Sequence, residues 1–250
     1  MAQPDYLDAG HGRRIAFHRT EGKGPTVVFL GGFKSDMEGT KAIHLEAWAR
    51  ARGQAFLRFD YTGHGQSSGA FTDGCIGDWA ADAETILTEA VDGPLLLVGS
   101  SMGGWISLLM TKRLPERIAG LVTIAAAPDF TEDSMWAGFD QAQRLALDMV
   151  DQVALPSEYG EPYIITRRLI EDGRDHLVLR DPLPLPFPVR FLQGTADADV
   201  TRETALRLLD RAEGPDMHLE FVKGADHRFS DGACLAILTD RIEEVLDLVA

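Results

Sequence analysis

The sequence predicts one α/β domain with a mainly parallel central sheet and helices on both of its faces. Three observations lead to this prediction. Several short runs are apolar throughout, as strands buried on both faces are. Predicted helices separate these runs along the chain. The 250 residues suffice for one large domain or two small ones, and the single series of alternating elements favours one.

The first half of the chain alternates predicted strands with predicted helices. Glycines punctuate this pattern, as where the apolar run TVVFL ends at Gly31-Gly32. Apolar strands separated by helices are typical of a parallel sheet that is covered on both faces. The predicted strands cover residues 13–20, 26–30, 55–59, 95–98 and 118–125, and the predicted helices cover residues 41–52, 76–91 and 103–114.

The alternation stops after Pro128 and resumes at residue 189. The intervening segment contains a predicted helix over 136–153, and its Asp172-Gly173 pair between two apolar runs predicts a hairpin or tight turn. We therefore predict one α/β domain over 1–250 with a small cap inserted at about 128–188. The remaining predicted elements are a strand at 189–192, a helix at 201–212, a strand at Met217–Val222 and a helix at 233–249.

Composition and charge exclude several classes of protein. The net charge of −15 repels phosphate backbones and anionic lipid, which argues against a nucleic-acid partner. Cys75 and Cys234 lack metal-ligand spacing, so we predict neither a disulfide framework nor a metal site. No apolar run approaches about 18 residues, and the N-terminus lacks the basic and apolar regions of a signal peptide. We predict a cytoplasmic protein without a membrane span; the sequence predicts no oligomeric state.

The most specific motif of the chain is Gly99-Ser100-Ser101-Met102-Gly103. It is a G-x-S-x-G between a predicted apolar strand and a predicted helix, which is the context of a nucleophile elbow. The two glycines allow the sharp turn that lifts Ser101 out of the sheet, and the start of the helix brings the Met102 N–H beside it. We identify Ser101 as the candidate nucleophile.

A serine hydroxyl is a weak nucleophile at neutral pH, so it needs a general base and a carboxylate that orients this base. In the expected chain order, both follow late strands. Asp197 lies after the strand at 189–192 and has the spacing G-x-x-D-x-x-V from Gly194 to Val200. His227 lies after the strand at Met217–Val222. The sequence therefore predicts Asp197 as the acid and His227 as the base.

Three other residues compete for these roles. We expect Asp199 to cap the next helix, and Asp226, adjacent to His227, to point elsewhere. His64 lies in the glycine turn Gly63-His64-Gly65-Gln66-Ser67, and we interpret it as structural.

The substrate site requires two N–H donors for an oxyanion and a pocket for the substrate. We predict the backbone N–H groups of Phe33 and Met102 as the donors, with Gly32 allowing close approach of the backbone to the substrate. Core and cap supply candidate substrate contacts. The predicted substrate contacts are Gly32, Trp105, Trp136 and Phe139, and the other available apolar side chains are Phe33, Phe130, Met135 and Leu155.

These motifs together resemble the α/β-hydrolase superfamily over nearly the whole chain. Four segments are similar to one branch, the palmitoyl-protein thioesterase-like serine hydrolases that include a mitochondrial acyl-protein thioesterase and acyl-glucuronide esterase. The resemblance implies that Ser101, Asp197 and His227 form a triad. The segments are Gly39-Thr40-Lys41-Ala42, Arg58-Phe59-Asp60-Tyr61, residues 93–105 and Asp226-His227-Arg228.

The predicted function is hydrolysis of carboxylic ester or thioester bonds in a small molecule or an acylated protein, through an acyl-enzyme on Ser101. This chemistry needs no metal or organic cofactor. Dehalogenase and epoxide-hydrolase chemistry is excluded because it needs a carboxylate at the elbow. A ligand receptor on the same scaffold, a peptidase, a carbon-carbon bond hydrolase and an acyltransferase stay open, because one fold and one triad support many reactions.

Overall fold

An eight-stranded sheet forms the centre of the computed structural model, which describes residues 3–10, 12–156 and 162–249. Residues 157–161 of the predicted cap lie outside the described residues. The strands are β1 (Asp5–Asp8), β2 (Arg14–Thr20), β3 (Lys23–Leu30), β4 (Gln54–Phe59), β5 (Leu95–Ser100), β6 (Ile118–Ile124), β7 (Gln152–Leu155), β8 (Tyr163–Thr166), β9 (Leu183–Pro184), β10 (Val189–Gly194), β11 (Ala212–Glu213) and β12 (Met217–Val222).

The order of the strands in the central sheet is β1-β2-β4-β3-β5-β6-β10-β12. Strands β4, β3, β5, β6, β10 and β12 run parallel to one another, while β2 is antiparallel to β4 and β1 is antiparallel to β2. The predicted parallel sheet is confirmed. Because parallel strands end at the same edge of a sheet, the loops after β3, β5, β10 and β12 open on one side of the molecule.

Seven α-helices lie within the described residues. They are α1 (Thr40–Arg52), α2 (Ile76–Glu89), α3 (Met102–Arg113), α4 (Gln141–Val150), α5 (Arg167–Arg174), α6 (Arg202–Arg211) and α7 (Gly232–Val249). Helices α1 and α7 share one apolar cluster with alternate sheet residues such as Val27 and Val98, while α2 and α3 share the other with Val28 and Leu97. None of these helices has the length and apolar character that a bilayer crossing requires.

The segment between β6 and β10 differs most from the sequence prediction. In place of one helix over 136–153, a π-helical turn covers Thr131–Trp136, α4 follows, and Asp151 ends α4 in a left-handed conformation. The strands β7 and β8 then pair as an antiparallel hairpin. Further along, β9 pairs with β11 outside the central sheet.

The predicted turn at Asp172-Gly173 is wrong, because both residues lie inside α5. The Thr166 side chain caps this helix by accepting from the Leu169 N–H. Gly173 packs against the π-helical turn, where an added Cβ would lie 2.1 Å from the Thr131 Oγ1. The glycine therefore serves close packing between two helices rather than a change in chain direction.

Candidate active site

Ser101 stands at a sharp turn between β5 and α3. Its φ of 54° and ψ of −118° lie outside the ordinary regions for a residue with a side chain. The surrounding backbone holds this conformation, since the Ser101 N–H donates to the Ile124 carbonyl (2.9 Å) and the Ser101 carbonyl accepts from the Ala127 N–H (3.0 Å). Gly103 lets α3 approach β3 so closely that a Cβ there would lie 2.0 Å from the Leu30 carbonyl oxygen. The hydroxyl is thereby presented above the sheet.

The three side chains proposed from the sequence lie together. The His227 Nε2 is 3.2 Å from the Ser101 Oγ, and the His227 Nδ1 is 3.0 and 3.1 Å from the two carboxylate oxygens of Asp197. Asp197 follows β10 and His227 follows β12, so the parallel strands bring residues 126 positions apart into contact. A serine, a histidine and a carboxylate linked in this order can transfer the serine proton.

The carboxylate of Asp197 is fully buried and held by four donors. The N–H groups of Asp199 and Val200 donate to its Oδ1 (2.9 and 2.8 Å), and the Gln193 side-chain amide donates to its Oδ2 (2.9 Å). Burial alone would raise the pKa of Asp197, but the hydrogen bonds from His227 and Val200 outweigh burial and lower the pKa. Asp197 is therefore ionised and can stabilise an imidazolium.

Gln193 is a site residue that the sequence reasoning missed. Its side chain is only 1% exposed at the end of β10, and besides Asp197 it donates to the Val200 carbonyl (3.1 Å). The available signal was a glutamine at the end of a predicted strand, directly before the loop that carries Asp197. The prediction that Asp199 caps the next helix is wrong, because Thr201 caps α6 by accepting from the Thr204 N–H. The Asp199 N–H instead donates to the Asp197 carboxylate.

The loop after β3 lies directly against Ser101. An added Cβ at Gly32 would be 3.3 Å from the Ser101 Cβ, so only a glycine lets the backbone come this close without displacing the serine. Neither the Phe33 N–H nor the Met102 N–H donates to any residue that the structure describes. Because Phe33 follows Gly32 and Met102 follows Ser101, these two unpartnered N–H groups are available near the serine, and their role as oxyanion donors stays a prediction.

A cavity of about 540 Å³ opens over Ser101 and His227. Its lining combines apolar with charged side chains, which suits a substrate with an apolar part and a polar part. The apolar lining residues include Phe33, Phe130, Met135, Leu155 and Tyr163, and the charged ones are Lys34, Asp36, Lys41, Asp199 and Arg228.

Of the predicted substrate contacts, the described lining of the cavity includes Gly32 but not Trp105, Trp136 or Phe139. Trp105 is fully buried, and its Nε1 donates to the His176 carbonyl (3.0 Å). Trp136 packs its ring against two arginines and against Phe139, which is itself buried. These aromatic side chains hold the segment above the cavity together, and Trp105 supports the lining residue Phe130 from behind.

Lys41, from the Gly39-Thr40-Lys41-Ala42 motif, connects α1 to the loop that carries His227. Its Nζ donates to the Arg228 carbonyl. Burial lowers the pKa of Lys41 to about 8, although the nearby Asp226 opposes this shift.

Asp197, Asp199 and His227 form the single group of possible metal ligands found in the described part of the chain, with ligand atoms within 4.8 Å of one another. Asp197 and His227 already hydrogen-bond each other, as a carboxylate orienting a histidine does. The absence of a metal requirement stays a prediction.

The sheet order, the serine turn between β5 and α3, and the histidine after the last strand define an α/β-hydrolase. Residues 24–183 match the family described as serine aminopeptidase, S33 (Hydrolase_4). The rat protein named palmitoyl-protein thioesterase ABHD10, mitochondrial, is 34% identical over 235 residues, which cover 93% of this chain and 79% of the rat protein. The chain belongs to this family of α/β-hydrolases, as the sequence resemblance predicted.

Solved structures agree with this assignment. Mouse α/β hydrolase domain-containing protein 10 matches with a TM-score of 0.92 and 32% identity over 100% of both chains. A protein of Agrobacterium vitis S4 matches with a TM-score of 0.94 and 37% identity over 98% of both chains. The predicted fold and the prediction of a hydrolase are thereby confirmed. Because the named relatives are mitochondrial, location in the cytoplasm stays a prediction.

Proposed function

We propose that the chain hydrolyses carboxylic esters or thioesters of apolar acyl groups, with Ser101 as nucleophile, His227 as general base and Asp197 as the acid that orients it. One observation carries this proposal. The His227 ring lies between the Ser101 hydroxyl and the buried Asp197 carboxylate, within hydrogen-bond distance of both, at the floor of a cavity.

The contacts support an ordered reaction. Because ionised Asp197 accepts at the Nδ1 of His227, the Nε2 is left free to take the Ser101 proton as the Oγ attacks the acyl carbon. The N–H groups of Phe33 and Met102 would then stabilise the oxyanion, each by on the order of 3 kcal/mol. His227 returns the proton to the departing alcohol or thiol. It next activates a water that hydrolyses the acyl-enzyme.

The lining of the cavity favours an apolar acyl group. The apolar lining residues besides Phe33 are Phe130, Met135, Leu155 and Tyr163. We propose that the segment at about 128–188 acts as a cap that supplies these four side chains. The relatives named palmitoyl-protein thioesterases support an acylated protein or small acyl thioester as the substrate class.

The decisive experiment measures turnover of p-nitrophenyl esters, acyl-coenzyme A thioesters and S-acyl peptides of graded chain length. We expect rapid hydrolysis by the parent protein and loss of turnover by at least about 10⁴-fold in Ser101→Ala, which retains its fold. Ser107→Ala removes a hydroxyl from the same helix, outside the cavity lining, and should keep its activity. A fluorophosphonate should label Ser101 and not its buried neighbour Ser100.

Full turnover by Ser101→Ala, or labelling at Ser100, contradicts the proposed mechanism. Binding of acyl ligands without turnover would instead favour a receptor on this scaffold. The family description names an aminopeptidase, so aminoacyl p-nitroanilides belong in the same panel. A preference for them over esters and thioesters would move the substrate class from acyl groups to peptides.

A further inference from the structure

His64 is a buried histidine next to the loop that carries Phe33. It lies in the turn after β4, is 3% exposed, and makes two hydrogen bonds with its ring nitrogens. The Lys34 N–H donates to its Nε2 (3.2 Å), and its Nδ1 is 3.3 Å from the Thr62 carbonyl oxygen. Because Lys34 directly follows Phe33, His64 contacts the peptide adjacent to the predicted oxyanion donor.

These partners define the state of the ring. A carbonyl can only accept, so the Nδ1 carries the proton, and an amide N–H can only donate, so the Nε2 is unprotonated. His64 is therefore a neutral imidazole, bridging the two loops. Burial lowers its pKa to about 4, although the Thr62 carbonyl and Asp36 oppose this shift, so the neutral form persists at ordinary pH.

The same cluster of aromatic rings holds both His64 and Phe33. The Phe71 ring lies 4.9 Å from the Phe33 ring and 5.3 Å from the His64 ring, and the Trp79 ring contacts both as well. The Trp79 Nε1 donates to the Thr62 carbonyl (3.0 Å), which also receives the His64 proton. The backbone of the Phe33 loop is thus held by the turn after β4, and its side chain is held by Phe71 and Trp79, which also contact His64.

The loop needs such support because its backbone is unusual. Lys34 has a φ of 56°, in the left-handed region that side chains disfavour, and it carries a full side chain there. A second contact from the same turn reinforces the first, since the Met37 N–H donates to the buried carboxylate of Asp60 (2.6 Å). Strained backbone of this kind persists only where its surroundings hold it.

We propose that His64 is a positioning residue: by accepting the Lys34 N–H it fixes the Phe33–Lys34 peptide, and thereby orients the adjacent Gly32–Phe33 peptide, whose N–H points at the developing oxyanion. This inference rests on the proposed function, because it assigns His64 a part in the hydrolysis on Ser101. His64 is not among the described residues that line the cavity. It acts through the Phe33 backbone, and its removal should weaken binding of the transition state more than binding of the substrate.

Three variants at one position separate the acceptor from the packing of the ring. His64→Gln can place its Oε1 near the site of the lost Nε2 and again accept from Lys34. His64→Asn reaches only the Nδ1 position, so it keeps a donor for the Thr62 carbonyl and loses the acceptor. His64→Leu keeps an apolar side chain in the cluster and loses both the donor and the acceptor. Tyr61→Phe is the matched control, because the Tyr61 hydroxyl is buried in the same cluster without a described partner.

The measurement is kcat and KM for a p-nitrophenyl ester. We expect kcat to fall about 10- to 100-fold in His64→Leu and His64→Asn, with KM within about 3-fold of the parent, because one oxyanion donor is misdirected rather than deleted. His64→Gln should stay within about 5-fold of the parent, and Tyr61→Phe should be unchanged. If His64→Leu does not fold, His64→Asn still provides a variant that lacks the acceptor.

A trifluoromethyl ketone that adds to Ser101 as a tetrahedral oxyanion supplies the second readout. Its affinity should fall in parallel with kcat, whereas the affinity for the product acid should stay constant. A folded variant without the acceptor that keeps the parent kcat overturns the proposal. Equal loss of affinity for both ligands also overturns it, because that pattern indicates general disorder of the site. Loss of the proposed function is recognised separately, by turnover that survives Ser101→Ala.

Discussion

Ser101 and Lys34 both have a positive φ without being glycine, and both line the cavity. Each is held by hydrogen bonds from a neighbouring loop or strand: Ser101 by Ile124 and Ala127, and Lys34 by His64. A strained residue of this kind costs on the order of 1–3 kcal/mol, which the surrounding packing must offset. At the scale of single residues, the conformations that serve the reaction are therefore maintained by partners distant in sequence.

The role of Asp197 can be tested against carboxylates close by. We expect Asp197→Asn to reduce kcat/KM by about 10⁴-fold, because an amide in place of the carboxylate mispairs the His227 tautomer. Asp226→Asn should cost far less, since Asp226 accepts from the Phe229 N–H and an asparagine oxygen can do the same. Asp199→Asn should also cost far less. Steady-state kinetics on one ester compares the three; equal losses in Asp197→Asn and Asp199→Asn would leave the acid unassigned.

At the scale of elements, the distance between α3 and β3 determines where Ser101 stands. Gly103 is at the start of α3, where its missing side chain leaves room for the carbonyls of Leu30 and Gly31. Those carbonyls belong to the end of β3 and to the loop that leads to Phe33. The elbow and the oxyanion loop are consequently packed against each other, and a change in one element displaces the other.

We expect Gly103→Ala to lower the free energy of unfolding by about 1–3 kcal/mol, although alanine is the better helix former, because its Cβ would clash with the Leu30 carbonyl oxygen. Esterase turnover should fall with it. Gly138→Ala is the matched control, since an added Cβ there meets nothing within 4 Å, and it should leave stability unchanged or raise it by up to about 1 kcal/mol. Urea unfolding measures both; similar effects of the two substitutions would contradict this account of the packing.

At the scale of the whole molecule, a buried neutral histidine makes stability depend on pH. The pKa of His64 is about 4 in the folded chain and near its ordinary value of 6.5 in the unfolded chain. The unfolded chain therefore binds more protons between these two values, so stability falls as pH decreases through this range. The lowered pKa of the buried His18 acts in the same direction.

Comparison of the parent protein with His64→Gln isolates the contribution of His64 to the pH dependence of stability. Between pH 7 and pH 4.5, the parent protein should lose about 2–3 kcal/mol more free energy of unfolding than His64→Gln, because each pKa unit corresponds to about 1.4 kcal/mol. His18 is present in both proteins, so its effect cancels. Urea unfolding at the two pH values gives the difference. An equal loss in both proteins would show that His64 does not titrate in this way.

The sequence by itself determined seven of the eight strands of the central sheet and the place of the serine, whereas the edge strand β1 was not predicted. Predicted strands such as 95–98 and 189–192 lie within β5 and β10, because an apolar run between glycines and helices is a local signal. The serine motif was recognisable for the same reason, since the elbow turn and its glycines are consecutive in sequence. The acid and the histidine could be predicted because in this fold they follow the serine in the chain and lie after late strands of the sheet.

Only the tertiary structure decided which side chains face the cavity and which support it. Trp105 and Trp136 are large aromatic side chains of the kind that contact apolar substrates, yet they pack behind the lining. The orientation of an aromatic ring depends on neighbours from distant segments. Gly173 resembles a turn glycine and instead allows two helices to touch. Gln193 and His64 gain their roles from partners brought near by folding, Asp197 and Lys34, and their contact geometry has no signature in the local sequence.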